Sequence, residues 1–134
     1  MIEGLKLHHI GCAVSSIEES LKTYRDILGY KNISQVFKLE SSGINACFIE
    51  LTNGVFLELI EPSGVNSVIN TYLKKGVTYY HLGYEVNNID KTVSGLLEKD
   101  FREITTIYSP AFNNRKCVFL FTPELQMIEL IDSE

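Results

Sequence analysis

The chain has no tryptophan, few prolines, few cysteines and no long apolar run. A helix that spans a membrane needs roughly 18 or more consecutive apolar residues, so we expect no membrane partner. The cysteines, Cys12, Cys47 and Cys117, are odd in number and lack CxxC spacing, which argues against a disulfide framework and against a thiolate zinc site. Each lies in an apolar stretch, and we expect all three to be reduced residues of the core.

Concentrated positive charge is also missing. The formal net charge is -5, and the 12 lysines and arginines are scattered along 134 residues. Binding to nucleic acid or to an anionic membrane generally needs a basic stripe, so we expect neither partner. The first residues, MIEGLKLHH, lack the apolar core of a signal peptide, and we therefore expect a cytoplasmic protein.

The first half of the chain predicts the order β-α-β-β-β. Ser16 and Glu19 form a capping box ahead of a helix, and Gly29 suits the left-handed position after its end. Asn53-Gly54 predicts a hairpin turn. The predicted apolar face of the helix is Ile17, Leu21, Tyr24 and Leu28, and the predicted strands are residues 5–14, 30–36, 44–51 and 55–60.

The second half repeats the first. The pattern H-[IL]-G-x-x-V-x-x-I begins at His9 and again 72 positions later at His81, and Asn88 offers an N-cap for a second helix. The strands that carry Glu58 and Glu129 match at a displacement of 71 positions, in the letters LELI and IELI. Two separate stretches that agree on nearly the same shift indicate an internal duplication. The second helix has the predicted apolar face Val93, Leu96 and Leu97, and the strands after it are predicted at residues 102–107, 116–121 and 126–131.

The duplication predicts the fold. We expect an α+β protein in which two tandem βαβββ modules, at about residues 5–62 and 77–132, form a cupped eight-stranded mixed sheet with the helices on its convex face. Apolar residues between the modules predict a short connecting helix at about residues 63–76. All 134 residues would then form a single domain, as the composition of 45% hydrophobic and 22% charged residues also indicates.

Four polar residues occupy matching places in the two modules. Successive side chains of a strand point to opposite faces, so each histidine and each glutamate faces away from the aliphatic neighbours that pack on the helices. Two imidazoles and two carboxylates suit one divalent ion such as nickel, cobalt, zinc, iron or manganese. A lone histidine on a strand is usually a core or surface residue, but the symmetric placement favours a metal site. The predicted ligands are His9, Glu58, His81 and Glu129, whereas His8 has the wrong alternation to join them.

The sequence resembles the vicinal oxygen chelate superfamily, in its branch of glyoxalases and methylmalonyl-CoA epimerases. The resemblance covers nearly the whole chain and rests on LHHIGCAVSSIEESLKTYRDILGY, VFLELIEP, YYHLGYEVNNID and CVFLFTPELQMIELID. It places the metal ligands of the family on the four residues that the repeat selects. It implies an enzyme with one divalent metal ion that abstracts a proton next to a carbonyl, and we expect a homodimer, with the site formed within one chain or across two.

The middle of the chain carries the resemblance that bears on the substrate. The stretch ELIEPSGVNSVINTYLKKG ahead of a histidine strand is similar to the epimerases, which favours an acyl-CoA. The epimerases usually show a His-Gly pair where this chain has Asn113-Asn114-Arg115-Lys116, and many bacterial ones place a second catalytic acid near Ala46. A lactoylglutathione lyase acting on a glutathione adduct therefore stays open as an alternative.

Glu58 and Glu129 are the expected catalytic residues. By the resemblance, a ligand glutamate moves the proton, and two symmetric carboxylates could exchange protons on the two faces of a substrate. Further alternatives of the same fold are a dioxygenase, a thiol transferase that modifies an antibiotic, and a non-catalytic resistance-type binding protein. Glu58 as a fourth ligand argues against the first two, and the full ligand set argues against the third. The cations that could meet phosphates or a carboxylate of the substrate, or form a solvated surface, are Lys74, Lys75, Arg115 and Lys116.

Overall fold

A computed structural model describes residues 1–133 of the chain. Within them it confirms the predicted α+β class and the mixed sheet of eight strands, whose order is β2-β3-β4-β1-β5-β8-β7-β6. The strands are β1 (Lys6–Ala13), β2 (Phe37–Leu39), β3 (Ile44–Thr52), β4 (Val55–Pro62), β5 (Tyr79–Val86), β6 (Arg102–Ser109), β7 (Arg115–Phe121) and β8 (Met127–Asp132). The α-helices are α1 (Ile17–Leu21), α2 (Ile69–Lys74) and α3 (Ile89–Leu97). Residue contacts divide the chain into two compact units, an N-terminal unit (His9–Tyr80) and a C-terminal unit (the chain from His81 onward together with Met1–His8).

The N-terminal unit contains a parallel pair, β1 with β4, and antiparallel pairs of β3 with β4 and with β2. Helix α1 begins where the Ser16 hydroxyl accepts a hydrogen bond from the backbone N–H of Glu19 at 3.1 Å, which confirms the serine half of the predicted capping box. The Glu19 carboxylate accepts a hydrogen bond from Lys22 at 2.9 Å instead of forming the reciprocal half. The helix packs on one face of these strands, where each fully buried aliphatic side chain stabilises the fold by roughly 1.5–3 kcal/mol. The buried residues of this cluster are Cys12, Ile17, Cys47, Ile49, Leu57 and Leu59.

The first helix does not continue as an α-helix to its predicted end. After Leu21 it widens into a π-helical segment, Lys22–Ile27, and the N–H of Leu28 donates to the carbonyl of Thr23 at 2.9 Å. Each residue of a π turn rotates through a smaller angle than in an α turn, so Leu28 leaves the predicted apolar face and is 58% exposed. Gly29, with a φ of 84°, follows the helix end as predicted.

The prediction of a continuous strand at residues 30–36 is wrong. Only Ile33 forms a bridge to β3 in this stretch, and the register with β3 shifts by one residue before β2 begins at Phe37. The Ser34 hydroxyl accepts a hydrogen bond from the N–H of Phe48 at 2.8 Å. A serine side chain that bonds to the neighbouring backbone in this way competes with regular strand pairing, which the apolar pattern alone does not reveal.

The C-terminal unit repeats the arrangement, with β5 parallel to β8 and with β7 antiparallel to β8 and β6. The Asn88 side chain accepts a hydrogen bond from the N–H of Lys91 at 3.1 Å and caps α3 as predicted. Leu97 was expected on the apolar face of this helix, but it is the last helical residue, lies a step around the axis from Leu96, and is 45% exposed. The buried residues of this core are Val86, Ile89, Val93, Leu96, Val118, Leu120 and Leu130.

The predicted connecting helix is shorter than the apolar pattern indicates. Helix α2 begins only at Ile69, which is buried against Ala13 and Ile60. Val65 and Val68 precede it and are 92% and 57% exposed, because hydrogen-bonded turns occupy this stretch. Apolar residues at helical spacing therefore do not all belong to one helix.

The three cysteines are free and buried, as predicted. Burial raises the pKa of the Cys12 and Cys47 thiols, which keeps them protonated and unreactive. Among residues 1–133, no helix has the length and apolar character needed to cross a membrane.

Candidate metal centre

His9 and Glu58 form a buried pair in the N-terminal unit. They lie on the parallel strands β1 and β4, and the register places Gly11 opposite Glu58. The Nε2 atom of His9 is 3.1 Å from Oε1 of Glu58, and the two residues are 0% and 5% exposed. Because Gly11 has no side chain, the Glu58 carboxylate has room on this face to extend toward the imidazole.

His81 and Glu129 form the same arrangement in the C-terminal unit. They lie on the parallel strands β5 and β8, and Gly83 is opposite Glu129. The Nε2 atom of His81 is 3.2 Å from Oε1 of Glu129, and the two residues are 5% and 3% exposed. The H-x-G letters of the repeat therefore have a structural reason: the histidine and the glycine two residues later share one face, and the glycine leaves space for the glutamate.

Strand alternation separates each pair from the core beneath the helix of its unit. On β4, Leu57 and Leu59 belong to the core that packs on α1, and Glu58 between them points to the opposite face. On β8, Leu130 belongs to the core of α3 and its neighbour Glu129 faces away from it. Changes at the histidines and glutamates should therefore leave the helix-packed cores largely intact.

An aromatic ring accompanies each pair, and no role for either ring was predicted from the sequence. Phe48 lies opposite Glu58 in the β3–β4 hairpin, and Phe119 lies opposite Glu129 in the β7–β8 hairpin. Each phenyl ring meets the imidazole of its unit edge to face: the centroids of Phe48 and His9 are 6.0 Å apart, and those of Phe119 and His81 are 5.5 Å apart. The signal was available, since both phenylalanines match in the repeat at the displacement of the glutamates. Assigning a role to them required the hairpin register.

The donor chemistry of the two pairs fits a divalent cation. All four residues are buried, each offers one ligand atom, and together they are a set that could hold a metal ion. A buried carboxylate is costly unless positive charge or hydrogen bonds compensate it. With a neutral imidazole each pair carries one net negative charge, so an ion of charge 2+ would balance the two pairs.

The remaining residues singled out from the sequence lie elsewhere. His8 contacts the ring of Phe112 edge to face, with 5.4 Å between the centroids. Lys116 Nζ is 2.9 Å from a carboxylate oxygen of Asp90, and this hydrogen bond raises the pKa of the lysine. Lys74 and Lys75 are exposed at the end of α2.

Arg115 is more firmly held than a solvated surface residue. It begins β7 on the face that carries Phe119, and its guanidinium lies 3.3 Å from the carboxylate of Glu85. It also donates hydrogen bonds to the carbonyls of Phe112 and Asp132 at 3.0 and 3.1 Å. The structure therefore gives Arg115 a partner within the C-terminal unit, which spacing along the sequence does not predict.

These features define the class of protein: an α+β fold of two βαβββ modules, each with a buried histidine–glutamate pair on the sheet face opposite its helix. The model of the Glyoxalase/Bleomycin resistance protein/Dioxygenase superfamily matches residues 8–119. The chain belongs to this superfamily, which is the vicinal oxygen chelate superfamily that its motifs resemble.

The chain is also similar to individual proteins. The mitochondrial methylmalonyl-CoA epimerase of Mus musculus is 31% identical over 117 residues, which are 86% of this chain and 65% of that protein. The chain thus matches a little less than two thirds of the length of this relative. A hypothetical protein from Bacillus halodurans is 25% identical, with a TM-score of 0.88 over 98% of this chain and 96% of that one. The methylmalonyl-CoA epimerase of Mycobacterium tuberculosis shares the fold, with a TM-score of 0.84, 22% identity, and coverage of 100% of this chain and 93% of that one.

Proposed function

We propose that the protein is a divalent-metal-dependent enzyme that moves a proton next to a carbonyl group, and that it acts as an epimerase on an acyl-CoA. The observation that carries the proposal is the buried histidine–glutamate pair, which occurs once in each unit with Nε2–Oε1 distances of 3.1 and 3.2 Å. The similarity to a mouse methylmalonyl-CoA epimerase supports the acyl-CoA substrate.

His9, Glu58, His81 and Glu129 would hold the ion. When bound, a divalent ion supplies Lewis-acid chemistry, which makes a C–H bond beside a coordinated carbonyl more acidic. The protein contributes the carboxylates that take and return the proton, and the imidazoles that would complete the ligand set. These four residues are at most 5% exposed, which limits competing water at the site.

Epimerisation removes a proton from one face of a carbon and returns a proton to the other, so it needs two proton carriers. We assign Glu129 and Glu58 to these roles. The position near which related epimerases place a second acid is Ala46, which is fully buried opposite Ile60 on the site face of β3 and β4. Since alanine cannot carry a proton, we assign this step to Glu58, which is a buried carboxylate of the N-terminal unit.

The second candidate is a lactoylglutathione lyase, because Ala46 cannot act as the second acid that related epimerases place near this position. That reaction moves a proton between adjacent carbons, which a single carboxylate can do. Methylmalonyl-CoA and the methylglyoxal–glutathione adduct should therefore be assayed side by side.

The first experiment measures metal content in the purified protein and in the variants His9→Ala and His81→Ala. We expect one divalent ion per chain in the parent and loss of stoichiometric binding in each variant, with the far-ultraviolet circular dichroism retained because the cores lie on the opposite faces. A parent protein without metal, together with loss of secondary structure in both variants, would instead identify the histidines as structural.

The second experiment follows deuterium exchange separately for each substrate enantiomer. Glu129→Gln should retain much of the metal, since an amide oxygen can still coordinate, and should lower turnover by roughly a hundred- to ten-thousandfold. Glu58→Gln should abolish exchange from one face if both carboxylates act, and should change little if Glu129 is the sole base. Glu124→Gln, on an exposed loop, is the matched control. Unchanged exchange in both site variants with metal retained would rule out a glutamate base.

A further inference from the structure

We propose that Phe48 and Phe119 are positioning residues, each of which fixes the imidazole ring of its own unit so that Nε2 points at the glutamate. The orientation is a property of the metal-free chain, and only its consequence for metal affinity rests on the proposed function. Neither phenylalanine needs to touch a substrate for this role.

The ring geometry supports the proposal in both units. The planes of His9 and Phe48 are inclined at 81°, and those of His81 and Phe119 at 84°. Edge-to-face contact with centroids about 4.5–7 Å apart is a favoured aromatic geometry that stabilises a ring pair beyond simple burial. The torsion that orients a histidine ring has broad minima of its own, so the packing around the ring decides which way Nε2 points.

The hairpin register explains why the same contact occurs twice. Phe48 is paired with Glu58, and Phe119 with Glu129, so one hairpin supplies both the carboxylate that faces Nε2 and the phenyl ring that packs on the imidazole. Phe48 is held in turn by Phe37 and Phe56, with centroids 6.2 and 6.3 Å away. A side chain held by its neighbours in this way can restrain a histidine, whereas a mobile one could not.

The test compares Phe119→Leu with Phe119→Tyr, which keeps the aromatic edge, and with Phe121→Leu, the same change two residues along on the same face of β7. The imidazole nitrogen signals of His81 are recorded by NMR in the metal-free proteins. We expect them to shift and broaden in Phe119→Leu, where the ring can reorient, and to remain as in the parent in the other two. Phe48→Leu should do the same to His9.

Metal titration gives the second readout, with zinc for affinity and cobalt for its visible absorption spectrum. Loss of groups that orient metal ligands typically weakens binding by 10–100-fold, and we expect a loss of about tenfold or more with an altered cobalt spectrum for Phe119→Leu alone. Unchanged imidazole signals in Phe119→Leu, or equal effects of Phe119→Leu and Phe121→Leu, would overturn the positioning role. A parent that binds no metal would overturn the proposed function, while the NMR comparison would still decide the role of the phenylalanines.

Discussion

The two units share one plan but differ in one region of the sheet face, which is apolar in the N-terminal unit and charged in the C-terminal unit. In the N-terminal unit, Ala13 and Ile60 are buried beneath Ile69 of α2, and Tyr72 of that helix stacks on Tyr80 with 4.6 Å between the ring centroids. In the C-terminal unit, the repeat puts Glu85 at the place of Ala13 and Arg115 at the place of Ile44, and these two form a half-buried ion pair.

The comparison shows what the duplicated fold requires and what it leaves free. Both units keep a histidine–glutamate pair, a glycine two residues after the histidine and a phenylalanine opposite the glutamate. The part of the sheet face next to the histidine–glutamate pair differs between the units because different elements cover it. In the N-terminal unit α2 packs on this part and requires apolar side chains, because an unsatisfied charge under α2 would be costly. Glu85 and Arg115 are each about one quarter exposed and hydrogen-bonded, so charge is tolerated there.

The largest expected effect comes from truncating matched core residues. Leu59 and Leu130 occupy the same place in the repeat and are both 0% exposed. Leu59→Ala and Leu130→Ala should each lower the free energy of unfolding by about 2–5 kcal/mol, since each leaves a cavity in a packed core. Urea denaturation measures the loss, with Val65→Ala at a 92% exposed site as the control. A much smaller loss in one unit would show that the two cores are not equivalent.

The second-largest expected effect on stability comes from removing the two helix N-caps. Ser16 and Asn88 cap α1 and α3 through hydrogen bonds of the same length, 3.1 Å. Ser16→Ala and Asn88→Ala should each cost about 1 kcal/mol in thermal or urea unfolding, because each leaves a backbone N–H of the first turn without its acceptor. Ser94→Ala, on the exposed side of α3, should be neutral or slightly stabilising. If Ser16→Ala cost nothing, packing alone would hold the short first helix.

The ion pair that distinguishes the units should contribute less. The double variant Glu85→Ala with Arg115→Ile, which gives the C-terminal unit the residues of the N-terminal one, should destabilise by less than the sum of its two single variants. The pair is partly open to solvent, so its coupling energy should be about 0–1 kcal/mol and should fall as salt is added. A double-mutant cycle at low and high ionic strength measures it, and a coupling that is large and independent of salt would contradict this account.

The smallest expected effect on stability comes from side-chain hydrogen bonds in the hairpin turns. Glu50 accepts hydrogen bonds from the N–H of Gly54 at 3.1 Å and from the amide of Asn32, and these lower its pKa. Because the folded pKa lies below the unfolded one, the stabilisation is present above the unfolded pKa and is lost as the pH falls through the folded pKa. In the C-terminal unit, the hydroxyl of Thr122 accepts a similar hydrogen bond from the backbone N–H of Gln126 at 3.1 Å. A hydroxyl does not titrate in the acid range.

Unfolding measured across acid pH should therefore separate the two turns. Glu50→Gln should reduce stability near neutral pH and leave it unchanged in strong acid, whereas Thr122→Val should have the same effect at every pH. An effect of Glu50→Gln that persisted unchanged below the carboxyl range would show that its carboxylate charge is not involved.

The sequence by itself determined the features that depend on local chemistry and on the repeat. Ser16 and Asn88 predicted two helix starts because a short polar side chain caps its own first turn. The letters LELI and IELI predicted strands whose glutamates face away from the aliphatic core, because alternation is a local property of an extended chain. The duplication then predicted eight strands, since two modules of one pattern fold alike.

Only the tertiary structure decided what depends on contacts between distant residues. Ser34 bonds to Phe48 and interrupts an expected strand, and a π turn moves Leu28 out of the apolar face. Strand register brings His9 within 3.1 Å of Glu58 and sets the edge-to-face contact of Phe48 with the imidazole. No local sequence pattern specifies this register. Arg115 pairs with Glu85 for the same reason, because β5 and β7 both flank β8. Which side chains meet across a sheet depends on how its strands are ordered and aligned.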